Sequence, residues 1–169
     1  ELGSMPIPDD ILRLRDITPE DEQDYQTLYA KCEGGVAAPT AGFHFSRELL
    51  KKIEIKGVEF AELTLHAGLG NFRDIDVEDL TKHKTDSEAM TISEECARKI
   101  NETKDAGHSV VAIGTTTMKA LESSTYTNGH VKPYDGWTNK FIFPQYNFVV
   151  ANAMVTNFHQ SQSPMLMMV

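Results

Sequence analysis

Cysteine is scarce in this sequence. Only Cys32 and Cys96 occur among 169 residues, and neither belongs to a Cys-x-x-Cys pair or to another metal-binding spacing. This argues against a disulfide scaffold and against a cysteine-rich zinc site. Long hydrophobic runs are also missing, since none reaches the roughly 18 residues that a membrane-spanning helix needs. We expect a protein of the reducing cytoplasm, without a membrane partner.

Positive charge is in short supply as well. Lysine and arginine number 16 against 25 aspartates and glutamates, and the formal net charge is −9. A protein with broad, non-specific affinity for nucleic acid normally carries a basic patch, so this balance argues against that class. A nucleic-acid substrate would need a local basic surface or a surface on another part of the protein.

The standard nucleotide and metal motifs are absent. Gly68-Leu-Gly70 is not a dinucleotide fingerprint, because the third glycine would fall at Arg73. Gly114 and the three threonines after it lack the Lys-Ser/Thr pair of a P-loop. Neither an HExxH sequence nor a Cys/His quartet occurs, so we expect no metal. Gly114 still begins a strand-to-helix turn, whose free N–H groups could hold an anion or a ribose or could form a plain helix cap.

What the sequence does contain predicts an α/β fold with a mixed or partly barrel-like sheet and flanking helices. Capping residues and 3.6-residue periodicity mark the helices, and β-branched or alternating apolar runs mark the strands. The predicted elements are helices at 18–31, 46–57, 93–107 and 116–123, strands at 58–65, 109–113, 141–143, 148–150 and 153–158, and a loop at 125–137.

Two domain regions are expected. Residues 1–17 are interpreted as a connector from a preceding part, because Pro6 and Pro8 enforce an extended entry. Residues 18–169 are interpreted as an α/β catalytic-type domain. We expect it to be cut short at its C-terminus, because the apolar run at 165–169 stops without a polar end.

Three stretches place polar residues where a regular element ends: 38–45 with His44, 63–72 with His66, and 110–117 with the threonines. Because ligands bind outside the carboxyl ends of strands in α/β proteins, we expect these ends to converge on one site. His159 also follows a predicted strand. Histidine suits general acid–base chemistry, with Glu88 or Glu122 as a carboxylate partner. The competing interpretation is that each histidine is structural.

Five ordered segments carry a family resemblance: 25–30 (YQTLYA), 37–45 (AAPTAGFHF), 64–72 (TLHAGLGNF), 113–123 (IGTTTMKALES) and 156–159 (TNFH). Together they resemble the S-adenosylmethionine:tRNA ribosyltransferase-isomerase family of queuosine biosynthesis. The similarity covers nearly the whole chain, which would form roughly the second half of such a protein.

The resemblance implies a specific activity. The family moves the ribosyl group of S-adenosylmethionine onto 7-aminomethyl-7-deazaguanine at the tRNA wobble position and rearranges it, giving epoxyqueuosine, adenine and methionine. It implies tRNA and S-adenosylmethionine as partners and no other cofactor. We expect a monomer.

The resemblance also suggests residue roles. His44 and His66 would transfer protons, with Glu122 or Glu88 as orienter or second base, and His83 and His159 complete the catalytic candidates. Thr115 and Thr116 would hold the ribose or the methionine carboxylate, and Gly68 and Gly70 would shape the pocket wall. The remaining substrate-binding candidates are Thr40, Gly42 and Asn157.

The chain departs from the family pattern at two places. Thr85 and Asp86 stand where Met-His is expected, and residues 160–163 read QSQS instead of LPKS. These departures motivate one alternative, a divergent non-catalytic member that binds tRNA or a partner. Another alternative is a hydrolase that uses the histidine and carboxylate set, with or without a metal.

Overall fold

The computed structural model describes residues 5–169, apart from the side chains of residues 71 and 72. Within that part of the chain lie six α-helices and five strands in two small sheets, which confirms the α/β class. The strands described form no closed barrel. The helices are α1 Asp9–Leu12, α2 Asp21–Asp24, α3 Arg47–Ile55, α4 Glu94–Asp105, α5 Thr115–Ser123 and α6 Pro164–Met168, and the strands are β1 Thr64–Leu65, β2 Glu88–Ile92, β3 Val111–Ile113, β4 Tyr134–Thr138 and β5 Ala153–Val155.

Helices α3 and α4 begin and end where the sequence predicts. The Ser46 hydroxyl accepts a hydrogen bond from the Leu49 N–H at 3.1 Å, and Ser93 does the same for the second helix. Gly57 follows α3 with a φ of +83°, a left-handed conformation that disfavours other residues. Local capping chemistry is therefore enough to set these boundaries.

The helix predicted at 18–31 is wrong in its length, because only Asp21–Asp24 is helical. Beyond it, the aromatic side chains pack against the 38–45 segment instead of continuing a helical face. Tyr25 meets Phe43 edge-on with ring centroids 5.4 Å apart. Tertiary packing of these rings overrides a good N-terminal capping sequence.

An antiparallel sheet has the strand order β1-β2-β4. The loop predicted at 125–137 is partly wrong, because its end forms β4, which pairs with β2 from Glu88 opposite Thr138 to Ile92 opposite Tyr134. Pro133 and Gly136 lower the local strand propensity, so the pairing depends on β2. The strand predicted at 58–65 is reduced to Thr64–Leu65, since only these residues find a partner strand in β2.

Strands β3 and β5 form a parallel pair. The strands predicted at 141–143 and 148–150 do not form. Phe141 and Phe143 stack on each other with centroids 5.2 Å apart, and side chains rather than a strand bind the backbone at 149–150. Their β-prone composition is therefore used for packing without a ladder.

Both chain ends contain a short helix. Part of the expected connector is helical, as α1, and residues 1–4 of it lie outside the described residues. The apolar run at 165–169 is mostly α6, which begins with a Ser163 cap at 3.2 Å from the Leu166 N–H and has Pro164 at its first position.

One hydrophobic core joins α4, α5 and both sheets, and its burial holds the site elements in place. No helix among residues 5–169 is long and apolar enough to cross a membrane. The buried core members are Met90, Ile92, Cys96, Ala97, Ile100, Val110, Ala112, Met118, Ala120, Leu121, Val131, Ile142, Val150 and Met168.

Candidate functional site

The parallel pair β3–β5 positions the first group of site residues. Because the strands run in the same direction, their carboxyl ends lie at one edge, and the Gly114 N–H donates to the Val155 carbonyl at 2.8 Å. Gly114 turns the chain into α5 with a φ of +94°. This geometry brings Thr115 and Thr116 beside the segment that carries Asn157.

A hydrogen-bonded chain joins His44, Asn157 and Thr40 at that edge. The Asn157 amide nitrogen donates to the Thr40 hydroxyl at 2.8 Å, and its carbonyl oxygen lies 2.7 Å from His44 Nε2. Since that oxygen can only accept, neutral His44 carries its proton on Nε2 and keeps a lone pair on Nδ1. The side chain is exposed, so this nitrogen can act as a base toward a ligand.

Gly42 lies beneath this chain in a 3-10 turn, Thr40–His44. A Cβ atom at Gly42 would fall 2.1 Å from the Tyr29 hydroxyl and 2.7 Å from Thr27 Cγ2. The missing side chain therefore serves the packing of Tyr29 against the turn that presents His44.

The second group is built around Glu88, which is buried at the start of β2. Its Oε1 accepts from the Gly68 N–H at 2.8 Å, and its Oε2 pairs with the Lys119 ammonium at 2.7 Å. Both ionic side chains are almost fully enclosed, with 2% and 8% of their surfaces exposed. Burial of two charges is costly unless they pair closely, so this ion pair rigidly links α5 to the glycine loop after β1.

His66 lies at the join of β1 and the same loop. Its backbone N–H donates to the Ala89 carbonyl at 2.9 Å, and its ring lies against Gly34, where a Cβ atom would approach Nδ1 to 2.9 Å. Gly70 is close to Asp86, whose carboxylate carbon would lie 3.0 Å from a Cβ there. Gly68 and Gly70 therefore lie against the side chains of Glu88 and Asp86.

The rings of His83 and His159 have other partners. The His83 ring packs on Phe141 with centroids 4.7 Å apart. His159 Nε2 lies 2.9 Å from the Thr156 hydroxyl, and burial lowers the pKa of His159. Its neutral form is therefore favoured at neutral pH.

Glu122 is not in the environment expected for a carboxylate that orients a catalytic histidine. Its carboxylate accepts hydrogen bonds from the Tyr146 hydroxyl and from the N–H groups of Val149 and Val150, at 2.9–3.3 Å. These bonds place Glu122 in the packing of the 146–150 segment, and no histidine among residues 5–169 is hydrogen-bonded to it.

Helix α5 connects the two groups. A Cβ atom at Gly114 would lie 3.8 Å from Ala41 Cβ, in the turn of His44, and Lys119 bonds Glu88 one turn further along. The three expected stretches therefore meet around the first half of α5. They do not share the rim of one sheet, because β1 belongs to the antiparallel sheet and β3 to the parallel pair.

Lys119 was missed by the sequence analysis. It lies inside the 113–123 segment, but a lysine between Met118 and Ala120 has no distinctive spacing. The available signal is the helical one: Thr115, Lys119 and Glu122 are separated by four and three residues and share one buried face. Among the described residues, no group of three histidine, cysteine or carboxylate side chains could hold a metal ion.

A family model described as queuosine biosynthesis protein matches residues 1–169. The chain belongs to this queuosine biosynthesis family. It is 60% identical over 168 residues to a Bacteroides fragilis protein named S-adenosylmethionine:tRNA ribosyltransferase-isomerase, covering 99% of this chain and 47% of that protein. A Flavobacterium psychrophilum protein of the same name is 54% identical over 169 residues, covering 100% and 48%.

A solved structure supports the same family assignment. The crystal structure of S-adenosylmethionine tRNA ribosyltransferase from Thermotoga maritima is 37% identical, with a TM-score of 0.60 over 76% of this chain and 39% of that one. The family resemblance expected from the five segments is confirmed. The chain spans about half the length of the curated relatives it matches.

Proposed function

We propose that this chain is part of an S-adenosylmethionine:tRNA ribosyltransferase-isomerase. The reaction transfers and rearranges the ribosyl group of S-adenosylmethionine onto 7-aminomethyl-7-deazaguanine at the tRNA wobble position, giving epoxyqueuosine. The observation that carries this proposal is the family match across the whole chain. The non-catalytic alternative is not favoured, because relatives at 54–60% identity carry the enzyme's name.

The chemistry needs several proton transfers. Release of adenine breaks the bond between the ribose and the base, and adenine must gain a proton. Release of methionine breaks the carbon–sulfur bond, after a base takes the proton that the sulfonium acidifies. The attacking amine must be neutral, so it also gives up a proton.

His44 is our candidate for the base. Asn157 and Thr40 support this role, because they fix the imidazole in the tautomer whose Nδ1 can accept a proton. His66, His83 and His159 remain candidates for the further transfers. Residues 18–169 would act as a catalytic-type domain, in the cytoplasm, with tRNA and S-adenosylmethionine as substrates.

The test is adenine release by the intact natural protein that carries this sequence. Purified protein is incubated with S-adenosylmethionine and tRNA that bears the aminomethyl precursor, and free adenine is measured by chromatography. The proposal predicts release that requires this tRNA and stops with tRNA bearing unmodified guanine. No release, or release without tRNA, would refute it.

A further inference from the structure

A small cavity lies between the first half of α5, the segment at 140–142 and α6. We name it the lysine cavity, because Lys119 and Lys140 supply its charged side chains. Its volume is about 30 Å³. One water needs roughly 10–15 Å³ on this measure, so the space fits one small group such as a carboxylate and is too small for a nucleobase.

Lys119 brings buried hydrogen-bond donors to this cavity. Only 6% of the residue is exposed, and its ammonium has three N–H donors. One donor binds Glu88, and within the described part of the chain the other two have no protein acceptor. Since a buried donor without an acceptor is costly, an oxygen ligand in the cavity would be favoured.

Lys140 completes the charge of the cavity. Its ammonium lies 5.0 Å from the centroid of the Tyr146 ring, which holds it by a cation–π contact. Glu88 balances the charge of Lys119, so the second lysine leaves one net positive charge. This positive charge would attract a carboxylate group.

The other residues that line the cavity favour a carboxylate over a phosphodiester. Thr115 and Thr116 line the α5 side, whereas Phe141, Ile142, Met165 and Met168 form an apolar wall. An aliphatic carboxylate fits a cavity with one polar and one apolar side. A phosphodiester, which is larger and carries sugars on both sides, fits less well.

We propose that the lysine cavity binds the carboxylate of the methionine part of S-adenosylmethionine. This rests on the proposed function, because that function supplies the ligand. Lys119, Lys140 and the two threonine hydroxyls would hold the oxygens, and the apolar wall would contact the methylene groups. The cavity would thus select the cosubstrate by its amino-acid end.

The test compares two ligands on two variants of the intact natural protein. Lys140→Gln removes the outer charge, and Lys132→Gln removes a lysine whose backbone, and not its side chain, is hydrogen-bonded to Ser124. Binding of S-adenosylmethionine and of its decarboxylated analogue is measured by calorimetry without tRNA. We expect Lys140→Gln to weaken S-adenosylmethionine binding about tenfold and to change the analogue less than twofold. Lys132→Gln should change neither.

Equal loss for both ligands, or no loss for either, would overturn the proposal. A Lys140→Gln variant that loses tRNA affinity in a filter-binding assay but keeps its affinity for S-adenosylmethionine would assign the cavity to a tRNA phosphate instead. Adenine release by the unchanged protein distinguishes failure of the cavity assignment from failure of the proposed function. Release together with an unaffected Lys140 variant rejects the cavity assignment alone, whereas absence of release rejects the proposed function.

Discussion

At the scale of single residues, the buried pair of Glu88 and Lys119 is the strongest electrostatic feature of the candidate site. The net contribution of this pair to stability is smaller than the attraction between the two charges, because burial of each ion costs several kcal/mol. What the pair does provide is a fixed distance between α5 and the glycine loop, and removal of one partner would leave a buried charge without its counter-ion.

Replacement of Lys119 by methionine should lower the free energy of unfolding by about 3–5 kcal/mol, because Glu88 loses its buried cation. Chemical denaturation measures this change. The matched control is Arg98→Met, which breaks an exposed helical pair with Glu102 and should cost less than about 1 kcal/mol. A second change, Glu88→Gln, should restore part of the stability of the Lys119 variant. Equal losses for the buried and the exposed pair would contradict this account.

Tyr146 should make the stability of the protein depend on pH in the alkaline range. Burial and the nearby Glu122 carboxylate raise the pKa of Tyr146 to about 12. Between the unfolded pKa of about 10 and this value, the unfolded chain loses a proton that the folded chain keeps, so stability falls as pH rises. Denaturation midpoints at several pH values from 9 to about 12 should show this loss, and Tyr146→Phe should make the curve flatter. A curve unchanged by that substitution would exclude Tyr146 as the cause.

At the scale of elements, α5 is the helix on which the candidate site depends. Its first turn presents Thr115 and Thr116, its second Lys119, and its third Glu122. The inner face therefore combines polar side chains with Met118 and Leu121 of the core. Such a face carries polar side chains inward, so hydrophobic periodicity alone does not reveal which of them have partners.

The Glu122 carboxylate should hold the 146–150 segment against α5. Glu122→Ala leaves the Val149 and Val150 N–H groups without an acceptor and should cost about 2–4 kcal/mol of stability. Hydrogen exchange should show faster exchange at these two amides than in the unchanged protein. Glu102→Ala, at an exposed position on α4, is the control and should leave their protection unaltered. Unchanged exchange in the Glu122 variant would show that other contacts hold the segment.

Local chemistry explains which elements the sequence predicts well. The ends of α3 and α4 follow from the Ser46 and Ser93 caps and from glycines that tolerate positive φ. Strand β4 and the short β1 could not be predicted in the same way, because their existence depends on the distant partner β2. The 148–150 run satisfies its backbone through side chains and so forms no strand in spite of its composition.

At the scale of the whole molecule, segments that are distant in the sequence come together at the candidate site. They do so without the single shared sheet that was expected. Thr40, His44 and Asn157 meet although up to 117 positions separate them, and Gly68 meets Glu88. Element ends in the sequence pointed to His44 and Gly68, whereas Thr40 and Asn157 were suggested by the family resemblance. Lys119 and the packing role of Glu122 did not follow from it, because both depend on which side chains face α5 in three dimensions.

His44, held by Asn157 and Thr40, is the proposed base in ribosyl transfer. The most direct test is the rate of tRNA-dependent adenine release by the His44→Gln variant of the intact natural protein. His130→Gln is the control, since that histidine pairs with Asp105 outside the candidate site. We predict that His44→Gln lowers kcat at least about 100-fold with an unchanged melting temperature, while His130→Gln retains normal turnover. Near-normal turnover by the folded His44 variant would contradict the account.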